Sequence, residues 1–258
     1  MIRTLSTQAA GVITHYEHLV IGGKKIRCPY FNNKKTNVRA ALRVLVGKGT
    51  PHDIEEEAMI ISLKEKVHLA TLDEHTLRTF LIDYHLGVDC SGFAYHVLDA
   101  ELQQTKHASM KRTLTFPLAK NIFRKSISKL RSAESCNVQT LAHEKNSLGI
   151  TLHDIAPADM IIMIETGQEH TLDHVLVVTD VTYNETQTPT TIGYAHSLNW
   201  KKDGPYNHGI RRGTITVTDS TQSLLNQIWN EDGETTKEKN ETYWRARTAN
   251  RLDIRRLR

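Results

Sequence analysis

Asp89-Cys90-Ser91 puts a thiol between a carboxylate and a hydroxyl, and Gly92 and Phe93 follow. A thiol can attack a carbonyl carbon once a neighbouring base takes its proton, so Cys90 is the first residue to consider for chemistry. The turn signal Leu86-Gly87-Val88 precedes it, and Phe93, Ala94, Val97, Leu98 and Leu102 recur at helical spacing after it. That pattern predicts a helix with Cys90 at its N-terminus and its sulfur at the edge of the buried face. Free N–H groups and the positive end of the helix dipole there favour a thiolate, which predicts a Cys90 pKa below the ordinary value of about 8.5. Asp89 can also cap the helix.

Downstream, three stretches recur in a fixed order. Pro157-Ala158-Asp159-Met160-Ile161 opens a strand, His174-Val175-Leu176-Val177-Val178 is a second, and Ile192-Gly193-Tyr194-Ala195-His196 ends a third. With the Asp-Cys-Ser-Gly motif these make the chain resemble the NlpC-type family of papain-like cysteine peptidases, the bacterial cell-wall endopeptidases. The resemblance covers residues 84–100 and 155–200, and it departs from the family where Ala158 replaces a glycine.

The resemblance implies a catalytic set of Cys90, His174 and His196. It gives Asp89 and Ser91 the task of holding the free amine of the substrate peptide. It also implies a tyrosine in the cleft, with Tyr30 of Pro29-Tyr30 as one choice and Tyr84 as the other. Cys90 would attack, His174 would carry the proton, and His196 would fix the imidazole tautomer. Antiparallel pairing of the second and third strands would carry His196 back beside His174. The implied activity is a cysteine peptidase or amidase cutting an amide or isopeptide bond in a peptidoglycan stem peptide through a thioester intermediate. Two alternatives stand beside it. One is an acyltransferase or amidase on another substrate, and the other is an inactive binding module that uses a basic surface.

The rest of the chain must position these residues. At 258 residues it can bury a sizeable core, and with 39% apolar and 24% charged residues it reads as an ordinary globular protein. A helical half followed by short strands and polar turns predicts an α+β fold. In a papain-like arrangement the nucleophile helix and its neighbours pack on an antiparallel sheet. The reading is one domain over 1–258, with helical insertions at about 37–82 and, basic in character, at about 103–150.

In the first insertion Val38, Ala41, Leu42, Leu45 and Val46 predict a helix stopped at Gly47. Thr50 or Asp53 caps the next helix, with Pro51 in its first turn and Ala58, Ile61, Leu63 and Val67 on its apolar side. Residues 103–131 hold eight Lys or Arg and no acid, interleaved with Leu114, Leu118, Ile122, Phe123, Ile127 and Leu130. That run predicts an amphipathic helix beside the cleft, or the solvated face of a packed helix. Asn230 to Thr242 reads as a loop, and the Arg-rich tail as a closing strand.

The three cysteines, Cys28, Cys90 and Cys136, form no disulfide framework and no metal-ligand pair, and the histidines are scattered. No metal and no cofactor are expected. A formal charge of +4 suits anionic surroundings only weakly. A nucleic-acid partner is not expected, nor a membrane span, and a monomer is. Met1 to Leu19 lacks the apolar segment of a secretory signal, so the expectation is a cytoplasmic protein or one exported by another route.

Overall fold

The computed structural model describes residues 1–32, 43–199, 208–232 and 240–258. In chain order the N-terminal part contains β1 (Ile2–Thr4), α1 (Thr7–Glu17), β2 (Leu19–Ile21), β3 (Lys24–Ile26), α2 (Pro51–Glu65) and α3 (Glu74–Asp83). Then come α4 (Cys90–Lys106), α5 (Met110–Thr113), α6 (Ile122–Leu130), α7 (Ser132–Ser135) and α8 (Val138–Ala142). The C-terminal part is β4 (Ser147–Ile150), β5 (Met160–Thr166), β6 (Leu172–Tyr183), β7 (Pro189–Leu198), β8 (Gly209–Thr216), β9 (Ile228–Glu231), α9 (Glu241–Thr248) and β10 (Arg251–Leu257). The expected division into a helical half and an antiparallel sheet holds at this level. The readings at Val38, Ala41 and Leu42 lie outside the described residues.

The sheet runs β4-β10-β5-β6-β7-β8-β9, with β1 paired to the far end of β6. The C-terminal strand therefore enters between β4 and β5 rather than closing an edge. A bidentate ion pair holds it there: Arg256 Nε and Nη2 donate to the two oxygens of Asp159 at 2.7 and 2.8 Å. Asp159 opens β5, so the two ends of the sheet-forming half are tied at one point.

Strand alternation divides the core in two. Met160, Ile162, Val175 and Val177 face a large cluster with α1 and α4, while Ile161, Met163, Leu176 and Val178 face a second cluster with Trp229 and Ala246. Helices were expected on one side of the sheet. The structure instead covers the second face with α9 and Trp229, because the central strands are apolar on both faces and each must be removed from water.

Helix α4 is the most buried helix of the first layer. Phe93, Ala94, Val97 and Leu98 are fully or almost fully buried, and each large apolar side chain so placed contributes about 1.5–3 kcal/mol. Asp89 caps it by accepting from Gly92 N–H at 2.6 Å. Gly92 itself is required by packing, since a Cβ there would lie 2.7 Å from the Gly47 carbonyl oxygen.

Thr50 and Asp53 form a reciprocal capping box on α2, with Pro51 in the first turn. The buried side of α2 is Pro51, Ile54, Ala58 and Ser62, and Leu63 points to solvent. The assigned stripe was rotated because it followed apolar type across Leu63 rather than the i, i+4 row through Ser62. An unexpected helix, α1, forms between β1 and β2 and packs on α4.

At the Pro157-Ala158-Asp159 turn, Ala158 has φ of 69°, the left-handed region that glycine tolerates and alanine does not. The strain is held by two hydrogen bonds, Ala158 N–H to Val178 O and Val178 N–H to Asp159 O. Replacing Ala158 by Gly should stabilise the fold by about 0.5–1 kcal/mol, the strain relief less the added freedom of the unfolded chain. Urea unfolding of the two proteins measures it, and a lower midpoint for Ala158→Gly would show that the turn is unstrained.

Candidate active site

His174 and His196 meet directly, and Cys90 lies at the start of the helix that packs on the strand carrying His174. Cys90 begins α4, and the backbone N–H of Val175, the residue after His174, is near enough to lower the pKa of its thiol. The β6–β7 register pairs Val177 with Ala195, which sets His196 diagonal to His174 on the same face. His174 Nε2 and His196 Nδ1 are 2.8 Å apart, and both rings are buried.

The chain of contacts continues to a residue that the sequence reading missed. His196 Nε2 lies 2.7 Å from Glu231 Oε1, and Tyr194 Oη donates to Glu231 Oε2 at 3.0 Å. Burial and the Glu231 charge hold the Tyr194 phenol well above its usual pKa, so it stays a donor. A carboxylate only accepts, which orders the protons along the line. His196 gives its Nε2–H to Glu231 and turns a lone pair at Nδ1 toward the Nε2–H of His174. The second nitrogen of His174, Nδ1, is left with a lone pair, as a base requires.

Glu231 is on β9, two strands from His196. The intervening strand β8 presents Gly213, which pairs with both Tyr194 and Glu231. A Cβ on Gly213 would fall 2.3 Å from the Tyr194 ring and hydroxyl. The glycine is thus a gap through which Tyr194 crosses β8. The motif order stops at His196, and only the pairing of β8 with β9 reveals the carboxylate.

Asp89 and Ser91 stand beside Cys90, but their polar atoms face Lys48. The buried Lys48 Nζ donates to Asp89 Oδ1 at 2.7 Å, Ser91 Oγ at 2.5 Å and the Cys136 carbonyl at 2.9 Å. Lys48 is itself fixed by His96, whose Nε2 lies 2.9 Å from the Lys48 carbonyl oxygen. An internal ammonium occupies the partners that the resemblance offered to a substrate amine. Gly47-Lys48 follows a 3-10 turn at Arg43–Val46, and no sequence signal tied it to Cys90.

The predicted fall in the Cys90 pKa is overturned. Burial, and then the Asp89 charge, push the thiol up to about 12, against smaller opposing effects of Lys48, the Val175 N–H and Arg245. Burial, then the neighbouring His196 and Arg245, hold His174 well below the usual imidazole value. Both groups rest neutral. Desolvation at this enclosed helix start exceeds the dipole effect that the sequence suggested.

His174 lines a cleft of about 760 Å³ together with Tyr30, Asn199, His208, Trp244 and Arg245. Of the two tyrosines, Tyr30 lines it, and Tyr84 packs on Phe80 with ring centroids 4.7 Å apart. None of the lining residues comes from 103–150, so the basic insertion does not cover the cleft. Nor is α6 the solvated face of a packed helix. Its apolar residues Ile122, Phe123 and Leu130 are 84%, 74% and 71% exposed.

All three cysteines are free and buried. Among the described residues the scattered histidines do yield one group that could hold a metal ion, His15, His52 and Glu55, drawn from α1 and α2. Among the described residues no helix is long and apolar enough to cross a membrane. Comparison of the chain with protein-family models, curated proteins and solved structures finds no match.

Two measurements test this geometry. His196→Ala should lower turnover by about 10- to 1000-fold through loss of the His174 tautomer, and Glu231→Gln by at least about tenfold with little change in stability. Gly213→Val should lower both activity and melting temperature, since it displaces Tyr194. Wild-type turnover in Glu231→Gln would exclude the carboxylate from the line.

The second measurement is stability against pH. His174 and His96 are depressed by burial, so their contribution is present above about pH 6.5 and is lost as pH falls toward their folded values. Cys28, Cys90 and Cys136 are raised to about 12, so theirs is present below about pH 8.5 and is lost as pH climbs toward 12. Urea midpoints should fall on both sides of a plateau near pH 7–8, and Cys136→Ala should flatten the alkaline limb.

Proposed function

We propose that the chain is a papain-like cysteine peptidase or amidase that cleaves an amide or isopeptide bond in a cell-wall peptide. The observation that carries the reading is the ordered line Tyr194–Glu231–His196–His174, which ends at an imidazole on the wall of a cleft, with Cys90 in the core cluster that also holds Val175, the residue after His174. A binding module has no need of a buried carboxylate that aligns two imidazoles, and such a line is costly to keep.

In this mechanism Cys90 attacks the scissile carbonyl while His174 Nδ1 takes the thiol proton. Sulfur–carbon bond formation and proton transfer run together, because neither the thiolate nor the imidazolium is favoured at rest. His174 then donates that proton to the leaving amine, and water enters by the reverse route to release the acid and restore the thiol. Asp89 already takes the Gly92 N–H, so the oxyanion falls to the N–H of Cys90 itself at the start of α4. His196 and Glu231 stabilise the charge that His174 gains in the transition state.

Lys48 bears on the substrate. With its ammonium seated on Asp89 and Ser91, the enzyme has no call for a free substrate amine at that place. The reading therefore favours bonds inside a peptide or at its carboxyl end.

Incubation with purified muropeptides, with product masses read by mass spectrometry, is the direct test. Wild type should release fragments with the mass gain of one water, and Cys90→Ala should release none. The acid limb of kcat/KM should lie below about pH 6.5, because His174 must be neutral and its pKa is depressed. Equal products from wild type and Cys90→Ala would end the peptidase reading.

A further inference from the structure

Arg245 stands out in the cleft. It lies on α9 with its side chain buried, and it lines the same space as His174 and Tyr30. Nη2 donates to the Asn199 carbonyl at 3.1 Å and to Glu241 Oε1 at 3.2 Å. Its Nε–H is buried with no acceptor among the described residues. A buried charged donor left unmade costs about 1–3 kcal/mol or more, so such a group is retained where a ligand completes it. Its charge also reaches Cys90, His174 and Tyr30, lowering the pKa of each.

We propose that Arg245 forms an anion subsite beside Cys90 that receives a carboxylate of the substrate, and this rests on Cys90 being the nucleophile. The guanidinium fork matches a planar carboxylate better than a single carbonyl oxygen. Glu241 offsets part of the charge, but it meets only Nη2 and leaves the buried Nε without an acceptor among the described residues. Asp83, Glu169 and Asp173 also line the cleft, and they are exposed or half-buried, where water and salt screen them. Arg245 is buried and so is less screened than these three carboxylates, while Asp89 and Lys48 act more strongly on the thiol itself. The substrate carboxylate is either the terminal carboxylate of a peptide or an acidic side chain next to the scissile bond.

Iodoacetate and iodoacetamide differ by that one group, and they require no knowledge of the natural substrate. The rate of Cys90 alkylation by each is measured on the folded full chain and on the chain unfolded in urea, with the Cys90 peptide followed by mass. The iodoacetate-to-iodoacetamide ratio should be about tenfold higher in the folded protein, the worth of one charge-assisted contact away from water. Arg245→Gln should return the ratio to its unfolded value, and Arg245→Lys should keep part of the preference.

N-acetylglycine should slow alkylation if the natural group is a terminal carboxylate. N-acetylaspartate α-amide should do so if it is a side chain. Protection by neither overturns the proposal. An unchanged ratio in Arg245→Gln, with Cys90 still reactive to iodoacetamide, overturns the subsite and leaves the nucleophile standing. A folded Cys90 inert to both reagents removes both. If Arg245→Gln fails to fold, the wild-type ratio and the protection arms still decide.

Discussion

A single buried ammonium holds the reactive end of the molecule together. Lys48 Nζ joins the Gly47–Gly49 segment to the start of α4 through Asp89 and Ser91, and to the segment before α8 through the Cys136 carbonyl. All three donors of the ammonium are used, as a buried charge requires. Breaking such a pair from one side costs about 3–5 kcal/mol, because the remaining charge stays in the interior. The Asp89 N–H bond to Gly47 O and the Tyr16 hydroxyl bond to Gly49 O add neutral ties to the same segment. Net stabilisation by a buried ion pair is small, so its effect is to fix one position for the helix start. Cys90 sits one residue from Asp89 and inherits that position.

The other half of the site is ordered by a second buried charge of opposite sign. Glu231 accepts from Tyr194 and His196, and the direction of every proton from β9 to β6 follows from that one acceptor. Lys48 anchors the residue before Cys90, and Glu231 anchors the imidazole that meets His174. Lys48 belongs to the layer that carries α4, and Glu231 to the sheet. Bringing the layers together is then what assembles the site, and the bulk of that energy is apolar: Val175 and Val177 against Phe93 and Val97.

Much of this was legible in the sequence where the signal was local. The nucleophile helix, its cap at Asp89, the capping box of α2 and the strands at Met160, His174 and Ile192 follow from spacing within a dozen residues. The His174–His196 contact was reachable from the pairing of adjacent strands. Glu231 was not, because its link to His196 passes over β8 and depends on an absent side chain at Gly213. Lys48 was not, because it meets Asp89 across 41 residues and arrives on an irregular segment. The Cys90 pKa was read in the wrong direction for a related reason. The helix dipole is visible in a sequence, and the degree of burial that outweighs it is a property of the whole fold.

In the proposed mechanism, a Cys90 and a His174 that both rest neutral give Arg245 its place in the chemistry. A preformed thiolate would be drawn to a buried guanidinium and would compete with any anionic substrate for it. A neutral thiol leaves that buried cation free for a carboxylate. In the proposed reaction, attack by Cys90 would put negative charge on the oxyanion and positive charge on His174. The guanidinium opposes the second change, as its effect on His174 already shows, and favours the first. A bound carboxylate cancels both influences and lets His174 accept its proton more readily. Filling the subsite would thus raise the basicity of the general base, which couples recognition of the substrate anion to the proton transfer that begins the reaction.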